Sequence, residues 1–363
     1  MFIEISKELA ELISQEYSTG VSQISDAINS LLDSMYKRKH IVMLNRDALF
    51  ILKKCESLSL SSQIVLQWIE NHYYDINAIK KKVAISVVLI PEVQSYIQGN
   101  VYYLSIFACE EFFQTELLTE NDDDCIFYKN IYSFFNPSKK VFDVSLHNNP
   151  FYGGNVAARI KSEYEEKKFF LCIVDSDKEY SADAKGSTYQ GANNELKEHK
   201  DEILPHDLYV LNVREKENLF PFHFYKSNCS EQNKFIDSIL MYATEEVFRF
   251  IKIKEGIKIK RIKEADSVWD SLYGDIIKDC KRKLIYIYTA KDDECCIKGI
   301  NSRALKRASD PFFSNNNYNS LQEQTKLDTI FGKQSFIIEE WKEIAHKLFD
   351  YGCCLSRNVN FLA

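Results

Sequence analysis

Between residues 115 and 213 short apolar runs alternate with segments whose apolar residues recur at helical spacing, a rhythm that few folds accept. "TELLTE" (115 to 120) reads as a strand, "DCIFYKNIYSFF" (124 to 135) as a helix and "KVFDVSL" (140 to 146) as a second strand. "GNVAARIKSEYEE" (154 to 166) is a second helix, "FFLCIV" (169 to 174) a third strand and "LYVLNV" (208 to 213) a fourth. Strands alternating with helices form βαβ units, which pack as a largely parallel sheet with helices on its faces. The expected class is therefore α/β. Ligands of such sheets sit at the carboxyl ends of the strands. Glu120 follows the first strand and Asp175 and Asp177 follow the third, so all three belong to one edge.

Side chains two apart on a strand point the same way, which lets Asp175 and Asp177 converge with Glu120. Three carboxylates without an adjacent cation repel one another, and a divalent ion held by oxygen ligands is the usual compensation. Mg²⁺ or Mn²⁺ is the expected ion, with Glu120, Asp175 and Asp177 as its ligands. Magnesium keeps positions for water and phosphate, so phosphoryl transfer or phosphodiester cleavage is the chemistry suggested. The same acids also have a purely structural reading. Asp is common at strand ends and helix starts, and Asp122 to Asp124 suit a solvated turn and N-cap.

Composition narrows the partners. A formal charge of −7 argues against coating nucleic acid by bulk charge, so any such contact must be local. Arg159 and Lys161 on the second helix, together with Lys178, Lys185 and Arg214, are the candidate phosphate contacts. The ten cysteines include two adjacent pairs, Cys295-Cys296 and Cys353-Cys354, but no C-x-x-C, so reduced and mostly buried thiols are expected. "MFIEISKELAELISQEY" lacks the basic-then-apolar order of a signal peptide, and no apolar run approaches the roughly 20 residues of a membrane span. A cytoplasmic protein with no membrane partner is expected.

The flanking thirds are less specific. Residues 3 to 17 and 21 to 36 read as two packed helices, followed by the apolar runs "IVML" (41 to 44) and "VAISVVLI" (83 to 90). An α-rich or mixed domain is expected over 1 to 105, the main site-bearing unit over 106 to 230, and an α+β region over 231 to 363. The polar stretch from Tyr180 to Pro205 reads as a surface or substrate-shaping loop. "NKFIDSILMYATEEVFRFIKIKEG" (233 to 256) reads as one long helix, and "IKIKRIKEA" (257 to 265) as a strand or basic face. "KRKLIYIYT" (281 to 289) reads as a strand, "SNNNYNS" as a loop and "IIEEWKEIAHKLFDYGCCL" (337 to 355) as a closing helix, with His346 packed or solvent-facing.

Taken in order, these motifs resemble the Toprim domain shared by topoisomerases, primases and the overcoming-lysogenization-defect nucleases. The likeness covers roughly residues 110 to 225 and is closer to the bacterial branch known as DUF4435. "TENDDDCIFY" is similar to that branch's first motif, with Glu120, Asp124, Phe127 and Tyr128 in matching places and Asn121 where glycine is usual. "NPFYGGNVAARI" (149 to 160) resembles its glycine turn, "CIVDSDK" its D-x-D, and "LNVREKENLFP" (211 to 221) its motif after the fourth strand, where Glu217 offers a carboxylate and Asn218 a polar contact. The resemblance implies a Mg²⁺-dependent endonuclease with Glu120, Asp124, Asp175, Asp177 and Glu217 as catalytic residues, Glu120 serving in general acid/base chemistry. It further implies a toxic effector of anti-phage or abortive-infection systems such as PARIS and AbiL, acting on RNA, transfer RNA among them, or on DNA. An ABC- or SMC-like ATPase would be the partner protein, and a homo-oligomer is compatible with the sequence.

Three other classes stay open. A nucleotide-sugar glycosyltransferase also places D-x-D after an apolar strand, although Glu120 and Glu217 then have no task. A haloacid-dehalogenase-type phosphatase needs D-x-D-x-T/V, whereas Lys178-Glu179 follow Asp177. A non-catalytic module that docks on a partner is the third.

Overall fold

The structure is a computed structural model and describes residues 1–16, 23–108, 111–136, 141–226, 233–258, 267–283, 287–289, 295–298, 300, 303–315 and 331–361. It is an α/β protein with helices packed on mostly parallel sheets.

The N-terminal third runs β1 (Phe2–Ile5), α1 (Lys7–Glu16), α2 (Gln23–Tyr36), β2 (Ile41–Leu44), α3 (Arg46–Lys53), α4 (Leu60–Asn71), α5 (Tyr73–Lys80), β3 (Ser86–Ile90), β4 (Tyr96–Gln98) and β5 (Val101–Ser105). Its sheet has the order β2-β1-β3-β5-β4, parallel except for β4 at the edge. Ile3, expected on a helix, lies in β1. The run Phe2–Ile5 is too short to distinguish a strand from a helical turn by periodicity, and parallel pairing with Ile41–Leu44 and Ile3–Ile5 with Val87–Leu89 decides it.

The middle unit contains β6 (Glu116–Leu118), α6 (Asp122–Phe135), β7 (Phe142–Val144), β8 (His147–Asn148), α7 (Val156–Glu165), β9 (Phe170–Val174), α8 (Ser187–Glu198) and β10 (His206–Val210). Its four-stranded sheet is entirely parallel, with order β10-β9-β6-β8. All five residues of β9 are buried, the unbroken apolar run expected of a parallel strand covered on both faces.

The apolar run at 140 to 146 is not the second strand of this sheet; β7 pairs antiparallel with β14 (Cys353–Leu355), and the short β8 takes the place beside β6. The polar insertion is not a loop throughout, since α8 lies within it and packs on α7 through the buried Ala192. With Ala192 buried and, of the apolar residues, only Tyr189 and Leu196 partly buried beside it, the apolar pattern is too weak to read in a polar sequence.

The C-terminal third supplies α9 (Phe222–Tyr225), α10 (Asn233–Tyr242), α11 (Glu245–Phe250), β11 (Gly256–Lys258), α12 (Ser267–Arg282), β12 (Ile287–Thr289), β13 (Cys295–Lys298), α13 (Arg303–Asn315) and α14 (Phe336–Gly352). The single helix expected over 233 to 256 is broken at Thr244, whose hydroxyl caps α11 by accepting from Val247 N, and Gly256 opens β11. Residues 281 and 282 end α12, so only the tail of the expected strand is β12. The closing helix stops at Gly352, where the chain turns into β14. Most of the basic stretch 257 to 265, and the loop from 316 onward, lie outside the described residues.

Helix α14 packs against α6, and the indole of its Trp341 donates to Leu219 O at 2.9 Å. The C-terminal third therefore helps to hold the segment that follows β10. Cys55, Cys125, Cys172, Cys280, Cys353 and Cys354 are free and buried. No helix among the described residues is long and apolar enough to cross a membrane.

Candidate functional site

Strand order 2-1-3-4 places a switch point between the first and third strands, here β6 and β9, where neighbouring connections leave in opposite directions and open a crevice. The chain after β6 reaches that crevice through a tight turn. Thr119 Oγ1 donates to Asn121 O at 2.8 Å. Asn121 Oδ1 accepts from Asp124 N, and Asp124 Oδ2 accepts from Asn121 N, both at 3.2 Å, a reciprocal cap on α6. Asn121 has φ −150°, so the turn needs no glycine. Asp124 is thus partly a capping residue, with its second oxygen, Oδ1, turned to the Lys216 ammonium. Glu120 is exposed at the rim, and its carbonyl accepts from Tyr152 N at 3.0 Å.

Past β9, Asp175 Oδ1 accepts from Lys216 N at 3.2 Å. Asp177 leaves the extended path on which its convergence with Asp175 is expected. Asp177 takes the left-handed conformation (φ 55°), its N–H donates to Arg214 O at 3.0 Å, and its carboxylate is exposed against the backbone of Gly186. The two-residue repeat of a strand holds only while the backbone stays extended. A Cβ at position 186 would collide with Asp177, so glycine is required for this close approach.

The segment after β10 brings carboxylates that complete the site. Glu215 caps a 3-10 turn over Lys216–Leu219 in reciprocal pairing with Asn218. Asn218 Nδ2 donates to Phe248 O and Ile251 O, both at 3.0 Å, tying the turn to α11. Glu215 and Glu217 are buried, with Lys254 Nζ 3.3 Å from Glu215 Oε2 and 3.4 Å from Glu217 Oε2. Glu215 was not anticipated, although "EKE" carries the same two-apart acids that drew attention to "DSD". Lys216 and Lys254 were missed as well; Lys254 is remote in sequence and only the fold delivers it.

Asp124, Asp175, Glu215 and Glu217 thus face two lysines. Burial lifts the Asp175 carboxyl well above its ordinary range, and Glu217, Glu215 and Asp124 push it further. Burial raises Asp124 in spite of Lys216, and burial followed by Glu217 raises Glu215. For Lys254 burial acts downward, but Glu217, Glu215 and Asp175 outweigh it and raise the ammonium. Glu215 Oε1 and Glu217 Oε2 are buried without a hydrogen bond; the ammonium beside Glu217 is within ion-pair range but poorly aligned.

The site is short of positive charge, which suits a divalent cation. Asp175 and Glu217, whose charges act on one another, are the acids that could contribute to holding one, with Glu120 exposed at the rim. Among the described residues, however, no three His, Cys, Asp or Glu side chains stand in metal-holding geometry, and two lysines lie among the acids.

The expected phosphate contacts divide. Arg159 is half-buried on α7, where its charge acts on Glu163 and Glu166. Arg214 is buried, with NH1 donating to Lys178 O at 3.4 Å and NH2 3.8 Å from Glu179, so it is a structural residue rather than an open contact. Lys178 and Lys185 line a cavity of about 790 Å³ beyond the end of β10, together with Asn212, Arg249, Phe336 and the exposed His346. Lys178 Nζ donates to Ser181 O at 2.8 Å, and Lys185 Nζ stands 4.2 Å from the Tyr189 ring centroid.

No protein-family model matches the chain, and no curated protein or solved structure matches it either.

Proposed function

We propose that the chain is a metal-dependent nuclease of Toprim type that hydrolyses phosphodiester bonds in RNA or DNA. The observation that carries this reading is the surplus of buried carboxylate at the switch point of a four-stranded parallel sheet. The Toprim-like motifs fall on the same residues, Glu120, Asp124, Asp175 and Glu217. A role as a toxic defence effector in the cytoplasm, restrained by an ABC- or SMC-like ATPase, follows from that likeness and belongs to the proposal.

Asp175 and Glu217 would hold Mg²⁺ or Mn²⁺, which when bound supplies an acidified water and charge for the phosphoryl oxygens. Glu120, exposed at the rim, is the group free to take a proton from the attacking oxygen. Lys216 fixes Asp175 through its backbone N–H and Asp124 through its ammonium, so both acids keep one orientation. Asp177, left-handed and exposed, is given no part in this scheme.

A second reading draws on the lysines. With Lys216 on Asp124 and Lys254 on Glu215 and Glu217, the acids also serve as a polar network that clamps the turn after β10. A non-catalytic docking module would need no more. Induced bacterial expression of wild type, Asp175→Asn and Glu120→Gln, with gels of total RNA and plasmid DNA, separates the two. Purified protein assayed with Mg²⁺, Mn²⁺ or EDTA accompanies it. Fragmentation by wild type alone, abolished by EDTA, supports the nuclease. Metal-independent behaviour shared by all three proteins supports the module.

A further inference from the structure

The geometry points to Tyr152 as a base-stacking platform beside this site, and hence to a nucleic acid with an unpaired nucleotide next to the scissile phosphate as its substrate. The choice of substrate class rests on the nuclease reading; the stacking itself does not. Tyr152 follows β8 at the carboxyl edge of the sheet, and the residue is 60% exposed, unusual for an aromatic residue held in place. It is anchored at both ends. Its N–H donates to Glu120 O at 3.0 Å, and its hydroxyl donates to Asp122 Oδ2 at 2.8 Å.

The backbone at Tyr152 is left-handed, with φ 48°, a conformation bulky residues seldom adopt and that persists only where the surroundings impose it. Gly153 and Gly154 follow, and a Cβ built on either meets no atom within 4 Å. Open space therefore lies beside the two residues that follow Tyr152, which is itself one hydrogen bond from Glu120, two residues past β6. Among the described residues no aromatic ring stacks on it. A rigid exposed aromatic loses little entropy when a flat ligand lies on it, and every base offers a π-face. A paired base inside a duplex is already stacked on its neighbours and cannot use the platform, so the preference is for single strands, loops or ends.

The test is binding by fluorescence anisotropy, with Ca²⁺ replacing Mg²⁺, of short labelled single strands of RNA and of DNA and of the same sequences as duplexes. The full chain is compared with Tyr152→Ala, Tyr152→Leu and Tyr152→Phe. Loss of one stacking contact predicts about five- to a hundredfold weaker single-strand binding for the Ala and Leu variants. Phe keeps the ring and should stay within about threefold of wild type. Duplex binding should not move, and the RNA and DNA arms identify the sugar.

Equal loss on single strands and duplexes, wild-type binding by the Leu variant, a Phe variant as weak as Ala, or no single-strand binding by wild type would each overturn the inference. Tyr152-dependent binding without cleavage in Mg²⁺ or Mn²⁺ would leave the platform standing and refute the nuclease. Cleavage with no dependence on Tyr152 would do the reverse.

Discussion

Lys254→Met tests the claim that the site lacks positive charge. At 3.3 and 3.4 Å, with an effective dielectric of about 20, each Lys254 pair attracts by about 5 kcal/mol before desolvation. The Lys254 side chain is 38% exposed, so solvent screening and the ordering of a long chain remove most of that. A net loss of about 2 to 3 kcal/mol remains, dominated by two carboxylates left buried without a cation. With about 2 cal/mol/K of unfolding entropy per residue, a 363-residue chain loses about 3 to 4 °C in Tm.

The pH dependence gives the claim its edge. Glu215 is raised in the folded state by burial and by Glu217. The stability it contributes is therefore full below the ordinary carboxylate range and is lost as pH rises through the raised value. Removing Lys254 takes away a charge that holds Glu215 down and so raises it further. The deficit should be small near pH 5 and largest near pH 8. Thermal melts of wild type and variant at both pH values measure it, and millimolar Mg²⁺ should recover part of the loss at the higher one. An equal deficit at both pH values, or none at the higher, refutes the reasoning.

Asp175→Asn removes a carboxyl that burial raises well above its ordinary range; at pH 8 it should stabilise the fold by about 1 to 3 kcal/mol in urea titrations and, on the nuclease reading, end metal-dependent cleavage. Asn218→Ala leaves Phe248 O and Ile251 O buried without a donor, and denaturation should register a loss of about 2 to 4 kcal/mol. Burial, then Glu116, lifts Glu163 to about 7. Wild type should therefore lose about 3 kcal/mol between roughly pH 5 and pH 8, and Glu163→Gln should flatten that profile while still accepting from Asn149. Gly186→Ala should cost about 1 to 3 kcal/mol through collision with Asp177, and Asp177→Gly in the same chain should restore most of it.

The middle sheet was legible because its signals are local. A fully buried strand such as β9 must be apolar along its length, and α6 announces itself by its cap and three acids in the first turn. The second strand was misplaced for an equally physical reason. The two-residue β8 is too short to carry a pattern, whereas β7 looks the part but spends its hydrogen bonds on β14, some 200 residues later. In the N-terminal third, β1 is fixed by parallel partners at 41 to 44 and 87 to 89, and no local period records them.

The site divides along the same line. Sequence by itself determined that acids follow the first, third and fourth strands, because strand ends and turns are written in short runs. Tertiary structure alone decided which acids meet. A left-handed residue at Asp177 turned one away, and a 3-10 turn pinned by Asn218 to α11 brought Glu215 and Glu217 inward. Lys254 reached them from beyond α11. The charge balance of a buried cluster is a sum over groups distant in the chain, so it exists only once the chain has folded.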